Sequence, residues 1–249
     1  MARNGGTYAS LYTQQVEKSL RLCLVFFVVI VFCDDVIVLR SHTQRYAPAL
    51  LAPAEQEFKK LMEIGFMRYS KSTFLSPLTV APKKTAPFVR LCGNYKKAND
   101  FMINRNLRIP LVRQEINKCL PFSIFAELDW RNAYHQIPLH TDDIPRLALQ
   151  TMWGNVEPLF LWEGVKSASD LMEHAKNSIF EHDDFADWTV ALFDNILVLA
   201  TSFDDLAIKL RRLLQRAQHF NLVLNAEKSN IGVSTIDFFG YTIAAGGTL

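Results

Sequence analysis

The chain has 249 residues, 49% of them hydrophobic, and a formal net charge of +2. That length and apolar share allow a full core in one or two lobes, and the near-neutral balance neither requires nor excludes a nucleic-acid partner. The four cysteines, Cys23, Cys33, Cys92 and Cys119, lack zinc or C-x-x-C spacing and read as free buried thiols of a reducing compartment. No dinucleotide fingerprint, Walker A loop, G-x-S-x-G elbow or internal repeat is present, and His174 and His182 have no metal partners in the sequence.

In chain order, the first feature is an apolar run, Leu22 to Cys33, broken by Asp34-Asp35 and followed by Val36-Ile37-Val38-Leu39. It is short of the about 20 apolar residues a spanning helix needs, and no small-x-small cleavage site follows it clearly. A membrane anchor through residues 22–39 is therefore disfavoured against a hydrophobic strand pair or a misjoined coding segment. Ala54 to Ile64 sets Phe58, Leu61 and Met62 at helical spacing, with Gly65 as a stop. Ser76 to Pro82 and Phe88 to Cys92 read as strands around a Lys83-Lys84 loop, and Pro110 to Leu120 as a helix. Ser123 to Leu128 is an apolar strand that delivers Asp129 to its end. Asp142 to Pro145 begins a turn, Ala148 to Gln150 returns to strand, and Gly154-Asn155 marks a turn into Pro158 to Leu161.

Ser167 to Phe180 is a predicted helix with Leu171, Ala175 and Ile179 on one face and Asp170 near its start. Thr189 to Phe193 and Ile196 to Ala200 form a predicted hairpin turning at Asp194-Asn195. Ser202-Phe203-Asp204-Asp205 is a capping box before a helix bearing Leu206, Leu210, Leu213, Leu214 and Ala217. This irregular alternation suits an α+β fold, an antiparallel sheet with helices on one face.

Asp129 and Asp194, each at the end of an apolar strand, supply the carboxylates a two-metal phosphoryl-transfer site requires, because Mg²⁺ takes hard oxygen ligands. Taken singly, Asp194-Asn195 is more often a plain turn and Asp129 a strand-end cap. Their surroundings change the balance.

The stretch Glu127-Leu128-Asp129-Trp130-Arg131-Asn132-Ala133-Tyr134-His135-Gln136-Ile137 resembles the first catalytic motif of reverse transcriptases of gypsy-type LTR retrotransposons, D-L-x-S-G-Y-H-Q-I. Arg90 to Asn99 is similar to R-x-C-V-D-Y-R-x-L-N of the fingers, and Leu192 to Asn195 occupies the place of Y-x-D-D. Asn225 to Ser229 resembles the lysine motif, and Phe238-Phe239-Gly240-Tyr241 the primer-grip hairpin. The departures are Asn195 for the second acid, Leu192 for its tyrosine, Asn94 for the fingers acid, and Trp162-Glu163-Gly164-Val165 for P-F-G-L.

The resemblance implies a polymerase palm plus a fingers subdomain over residues 44–249, the fingers being about 44–120 with part of 140–165, after a non-family segment 1–43. Neither thumb nor RNase H is expected, so the chain reads as a piece of a polyprotein or a truncated remnant. The implied function is RNA-directed DNA polymerase: dNTP addition to a primer 3′-hydroxyl on an RNA or DNA template, with two Mg²⁺ ions or Mn²⁺ in their place. Asp129, Asp194 and Asn195 would be catalytic, and Asp129, Asp194 and the Trp130 carbonyl would hold metal. Lys83, Lys84, Arg90, Tyr134, Glu163, Gly164 and Lys228 would bind the dNTP, with Tyr134 excluding a 2′-hydroxyl by size. Phe238, Phe239, Gly240 and Tyr241 would grip the primer. The implied location is intracellular, cytoplasmic or nuclear. Because Asn195 lacks a charge, Asn195→Asp is expected to lower the Mg²⁺ requirement. Two rivals stand beside this reading: a catalytically degenerate remnant that keeps the fold and some nucleic-acid binding, and a membrane-anchored protein with an unrelated cytosolic domain.

Overall fold

The structure, a computed structural model, describes Ile30 and residues 46–103, 112–180, 184–192, 195–245 and 247–248. Asp194, Cys23, Cys33, His182 and the apolar run apart from Ile30 lie outside the described residues. Among the described residues no helix is long and apolar enough to cross a membrane.

The elements run α1 (Pro48–Glu63), β1 (Met67–Tyr69), β2 (Ser76–Pro82), β3 (Val89–Gly93), α2 (Lys96–Asp100), α3 (Val112–Cys119) and β4 (Ile124–Trp130). Then follow β5 (Leu149–Thr151), β6 (Gly154–Pro158), α4 (Ala168–Phe180), α5 (Phe185–Trp188), β7 (Thr189–Leu192) and β8 (Asn195–Ala200). The chain continues as α6 (Phe203–His219), β9 (Leu224–Val233), β10 (Thr235–Phe238), β11 (Tyr241–Ala244) and β12 (Gly247–Thr248). They divide into two compact units, residues 1–105 with 134–168, and residues 106–133 with 169–249.

The first unit is built on a five-stranded sheet ordered β1-β6-β5-β2-β3, antiparallel except where β5 runs parallel to β2. α1 begins six residues before the expected Ala54, because Pro48 sits at the helix start, where a missing N–H costs nothing. The helix runs on through Pro53, buries Ala54, Phe58 and Leu61, and ends before Gly65 at φ 75°. The expected turn at Gly154-Asn155 is instead the start of β6. The reversal falls at Met152-Trp153, where the Thr151 hydroxyl donates to the Gly154 carbonyl and accepts from the Trp153 N–H. Within Pro158 to Leu161, Pro158 ends β6 opposite Met67, and Phe160 makes a single bridge to Pro138.

The second unit carries a four-stranded antiparallel sheet ordered β7-β8-β4-β9 and a small sheet β10-β11-β12. α6 packs on β8 and β4, and the Phe180 ring of α4 meets Trp130 edge-on at 6.2 Å. On the other face, Phe125, Val190, Leu192, Leu197 and Leu199 are buried with Ile116 and Cys119 of α3 and with Ile236, Phe238 and Ile243 of the β10–β11 hairpin. α3 enters this core through its two buried side chains, Ile116 and Cys119. Ser202 caps α6 by accepting from the Asp205 N–H, while the Asp205 carboxylate turns back to the Thr201 N–H.

Candidate active site

Residues two apart on a strand share a face, so Phe125, Glu127 and Asp129 line one side of β4. Asp129 is register-paired with Asn195 on β8 and Asn225 on β9, and Glu127 with Leu197 and Asn230. The face is therefore apolar at Phe125 and polar at the end where Asp129 stands. The hairpin of β7 and β8 is present as expected, but Asn195 pairs with Leu192 and is the first residue of β8, not a turn residue.

The β4–β9 pairing slips between Glu127 and Asp129: their β9 partners are Asn230 and Asn225, so β9 bulges through Ala226, Glu227, Lys228 and Ser229. A bulge re-aims side chains that a regular ladder would send elsewhere. Here the Asp129 N–H donates to the Ser229 hydroxyl at 3.3 Å, and that hydroxyl donates to the Asn225 carbonyl at 2.7 Å. Lys228 brings its ammonium to 3.8 Å from the Asp129 carboxylate. Lys228 thus lies on a strand, and its charge faces an acid.

Glu127 accepts from the Asn195 amide at 2.9 Å and from the Asn230 amide at 3.3 Å. Sequence reading missed Glu127, although its place two residues before Asp129 on an alternating strand was the available signal. It also missed Ser229 and Asn230, whose positions depend on the bulge.

In the first unit, Lys83 and Lys84 sit exposed in the β2–β3 loop and Arg90 is exposed on β3. The loop at Glu163-Gly164 is pressed on β3: the Gly93 N–H donates to the Glu163 carbonyl, and a Cβ on Gly164 would stand 2.1 Å from the Gly93 oxygen. With φ at 102°, position 164 admits only glycine. Asn99 holds the same loop, donating to the Gly164 carbonyl and accepting from the Lys166 N–H, both at 2.9 Å. His135 lies 3.0 Å from the Glu163 carboxylate and stacks on Trp162 at 4.9 Å. Burial pushes the Glu163 carboxyl up, but the His135 hydrogen bond and charge, its own N–H and Arg90 outweigh it, so the group ends below the ordinary range. Burial and Glu163 push the Cys92 thiol up to about 11, and burial and Glu115 push Cys119 to about 12, so neither described cysteine is a nucleophile at neutral pH. Tyr134 is half-buried on a 3₁₀ turn, Ala133–Gln136.

Phe238 to Tyr241 forms the expected hairpin, closed by Phe239 and Gly240 at φ 50° and 82°, the two-residue turn whose twist suits paired strands. Phe238 is core, whereas Phe239 and Tyr241 are exposed at the tip.

The described donors around Asp129, its carboxylate and the Asn195 side-chain oxygen, are the hard oxygens that suit a divalent cation such as Mg²⁺. Among the described residues no group of three or more His, Cys, Asp or Glu is placed to hold a metal ion, and Asp194, the further acid of the motif, lies outside them.

The sequence profile of the family described as "Reverse transcriptase (RNA-dependent DNA polymerase)" matches residues 81–243. The chain belongs to the reverse transcriptase family. Among curated relatives it is 28% identical over 219 residues to the retrovirus-related Pol polyprotein from transposon opus of Drosophila melanogaster, covering 86% of this chain and 21% of that protein. It is 27% identical over 200 residues to the transposon Tf2-7 polyprotein of Schizosaccharomyces pombe, covering 80% of this chain and 15% of that one. The chain thus spans about a fifth or less of these relatives. Its fold matches that of the foamy viral protease–reverse transcriptase in complex with double-stranded DNA, at a TM-score of 0.78, 13% identity, 95% of this chain and 44% of that chain. A second structure, the same viral enzyme with an RNA/DNA hybrid, matches at 0.77 and 14% identity, over 95% of this chain and 33% of that chain. The mixed α/β architecture is therefore that of a reverse transcriptase palm and fingers.

Proposed function

We propose that this chain is the fingers and palm of a gypsy-type LTR-retrotransposon polymerase, which joins a primer 3′-hydroxyl to the α-phosphorus of a dNTP and releases pyrophosphate. The observation that carries this reading is the Asp129 carboxylate, held between Asn195 and the β9 bulge that brings Lys228 to it, in a chain of this family. Two divalent cations, Mg²⁺ or Mn²⁺, when bound would activate the primer hydroxyl and neutralise charge on the phosphates. Asp129, Asp194 and the Trp130 carbonyl are the ligands we assign, with Asn195 as a neutral oxygen.

Lys228 would protonate the departing pyrophosphate, and its exposure leaves the ammonium accessible. Lys83, Lys84 and Arg90 would meet the triphosphate, Arg90 in bidentate fashion and the lysines as point charges. Tyr134 would exclude a 2′-hydroxyl. The Glu163 carboxylate is already engaged by His135, so we give Glu163 a holding role and leave the dNTP contact to the backbone at Gly164. Phe239, Gly240 and Tyr241 would touch primer, with Phe238 supporting them from the core. The template, the primer and the other modules of a polyprotein are the partners this implies.

A second reading, a remnant with weakened catalysis, draws on one observation: the Asn195 amide is committed to Glu127. Primer extension by the purified chain with Mg²⁺ and with Mn²⁺ separates the two. The polymerase reading expects extension that Asp129→Asn and Asp194→Asn each reduce to background. No extension with either metal supports the remnant.

A further inference from the structure

Glu127 does more than fill a strand position. Its two carboxylate oxygens accept from two amides, Asn195 Nδ2 on Oε1 and Asn230 Nδ2 on Oε2. An ionised carboxylate is acceptor-only, so Asn195 must offer it the NH₂ branch. The two branches of an amide have nearly the same shape, and a partner able both to donate and to accept would leave either orientation open. With Glu127 as partner only one is left, and the carbonyl Oδ1 is turned away from Glu127, on the residue register-paired with Asp129.

We infer that Glu127 is a positioning residue of this site: by accepting only, it holds Asn195 Oδ1 as a fixed, uncharged oxygen ligand beside Asp129 for a divalent cation. The ligand half of this inference rests on the polymerase reading; the positioning half does not. Glu127 and Asn195 are then a matched pair. Asn195→Asp alone would set two like charges where a donor and an acceptor stood 2.9 Å apart, which reverses the gain that the sequence alone leads one to expect. Glu127→Gln with Asn195→Asp restores the hydrogen bond with its polarity exchanged, since the amide introduced on β4 can donate to the carboxylate introduced on β8, and it leaves the net charge as in the parent.

The test uses the whole chain in four forms: parent, Glu127→Gln, Asn195→Asp and the double variant. Urea titration reads the coupling without any assay of activity. Asn195→Asp should lower the folded-to-unfolded ratio roughly 5- to 30-fold, and the double variant should recover most of it. Mn²⁺ binding followed by electron paramagnetic resonance, with Asp129→Asn as the blank, reads the ligand role. At equal net charge the double variant should bind Mn²⁺ several-fold more tightly than the parent, because its carboxylate stands where the amide oxygen stood. Additive shifts in urea overturn the positioning role. Equal Mn²⁺ affinity in parent and double variant shows that net charge alone matters and overturns the ligand role. Coupling in urea with no Mn²⁺ binding above the blank by any form supports positioning and overturns the metal site of the polymerase reading.

Discussion

Lys228 and Lys176 show what exposure does to one kind of side chain. Lys228 is 68% exposed and 3.8 Å from Asp129, and an ion pair so open to water contributes under about 1 kcal/mol. Lys228→Ala is therefore expected to leave the urea midpoint near that of the parent while slowing primer extension; a matched loss of stability would make the residue structural. Lys176 on α4 is fully buried, and its ammonium lies 2.9 Å from the Glu173 carboxylate, itself buried. Removing Lys176 takes a buried counter-charge away from Glu173, so Lys176→Met should destabilise the chain. Replacing both, Glu173→Leu with Lys176→Met, should recover part of that loss, because the desolvation of two ions is then avoided. Urea titration of the three proteins checks the order. Asp129 was legible because an acid at the end of an apolar strand stands out against its neighbours. Glu127 was not, because its meaning depends on which amides lie across the sheet.

Elements whose signals are local were read nearly to the residue: β2 and β3 from their apolar runs, and α6 from Ser202 and its leucines. What escaped was set by pairing. The β9 bulge exists only relative to β4, and Gly154 entered a strand because Thr151 closes the turn one step earlier. The loop at Glu163-Gly164 belongs to this second kind, and it carries a pH dependence. Glu163 is held below its ordinary carboxyl value of 4.5, with His135 and Arg90 as the charges facing it. A depressed acid contributes stability that is present above the unfolded value and is lost as pH falls through the lower folded one. As pH falls below about 4.5 the loop should loosen at Trp162, which stacks on His135. The fluorescence difference between the parent and Trp162→Phe should show this step before the far-ultraviolet dichroism changes. Glu163→Gln should remove the step, and a step that survives in that variant would assign it to another group.

At the scale of the whole molecule, the sequence separated a family region from a leading segment, and the division rested on where the motifs begin. Motif boundaries report shared chemistry, whereas stability depends on burial, and one described residue ahead of the boundary is buried. Ile30 is 2% exposed, and its N–H donates at 2.8 Å to the carboxylate of Asp143 in the first unit. Burial pushes the Asp143 carboxyl up, against the Ile30 hydrogen bond and the charges of Arg146 and His140, so this acid depends on its partners to stay ionised. Deleting residues 1–40 removes both the apolar side chain and the hydrogen bond. The side chain is worth about 1.5–3 kcal/mol when fully buried, and a hydrogen bond to a charged group about 1.5–3 kcal/mol. Part of that loss is recovered as water reaches Asp143, so the loss through Ile30 should be about 2–4 kcal/mol. The sheet of the first unit and the core of the second lie wholly outside the deleted stretch, so the remainder should still unfold cooperatively, at a lower urea midpoint. Asp143→Asn in the full chain separates the two contributions. An amide oxygen still accepts from Ile30 and has no charge to bury, so this variant should match or exceed the parent at pH 7. A deletion that leaves the midpoint unchanged would show that Ile30 contributes nothing, and the motif boundary would then be the stability boundary as well.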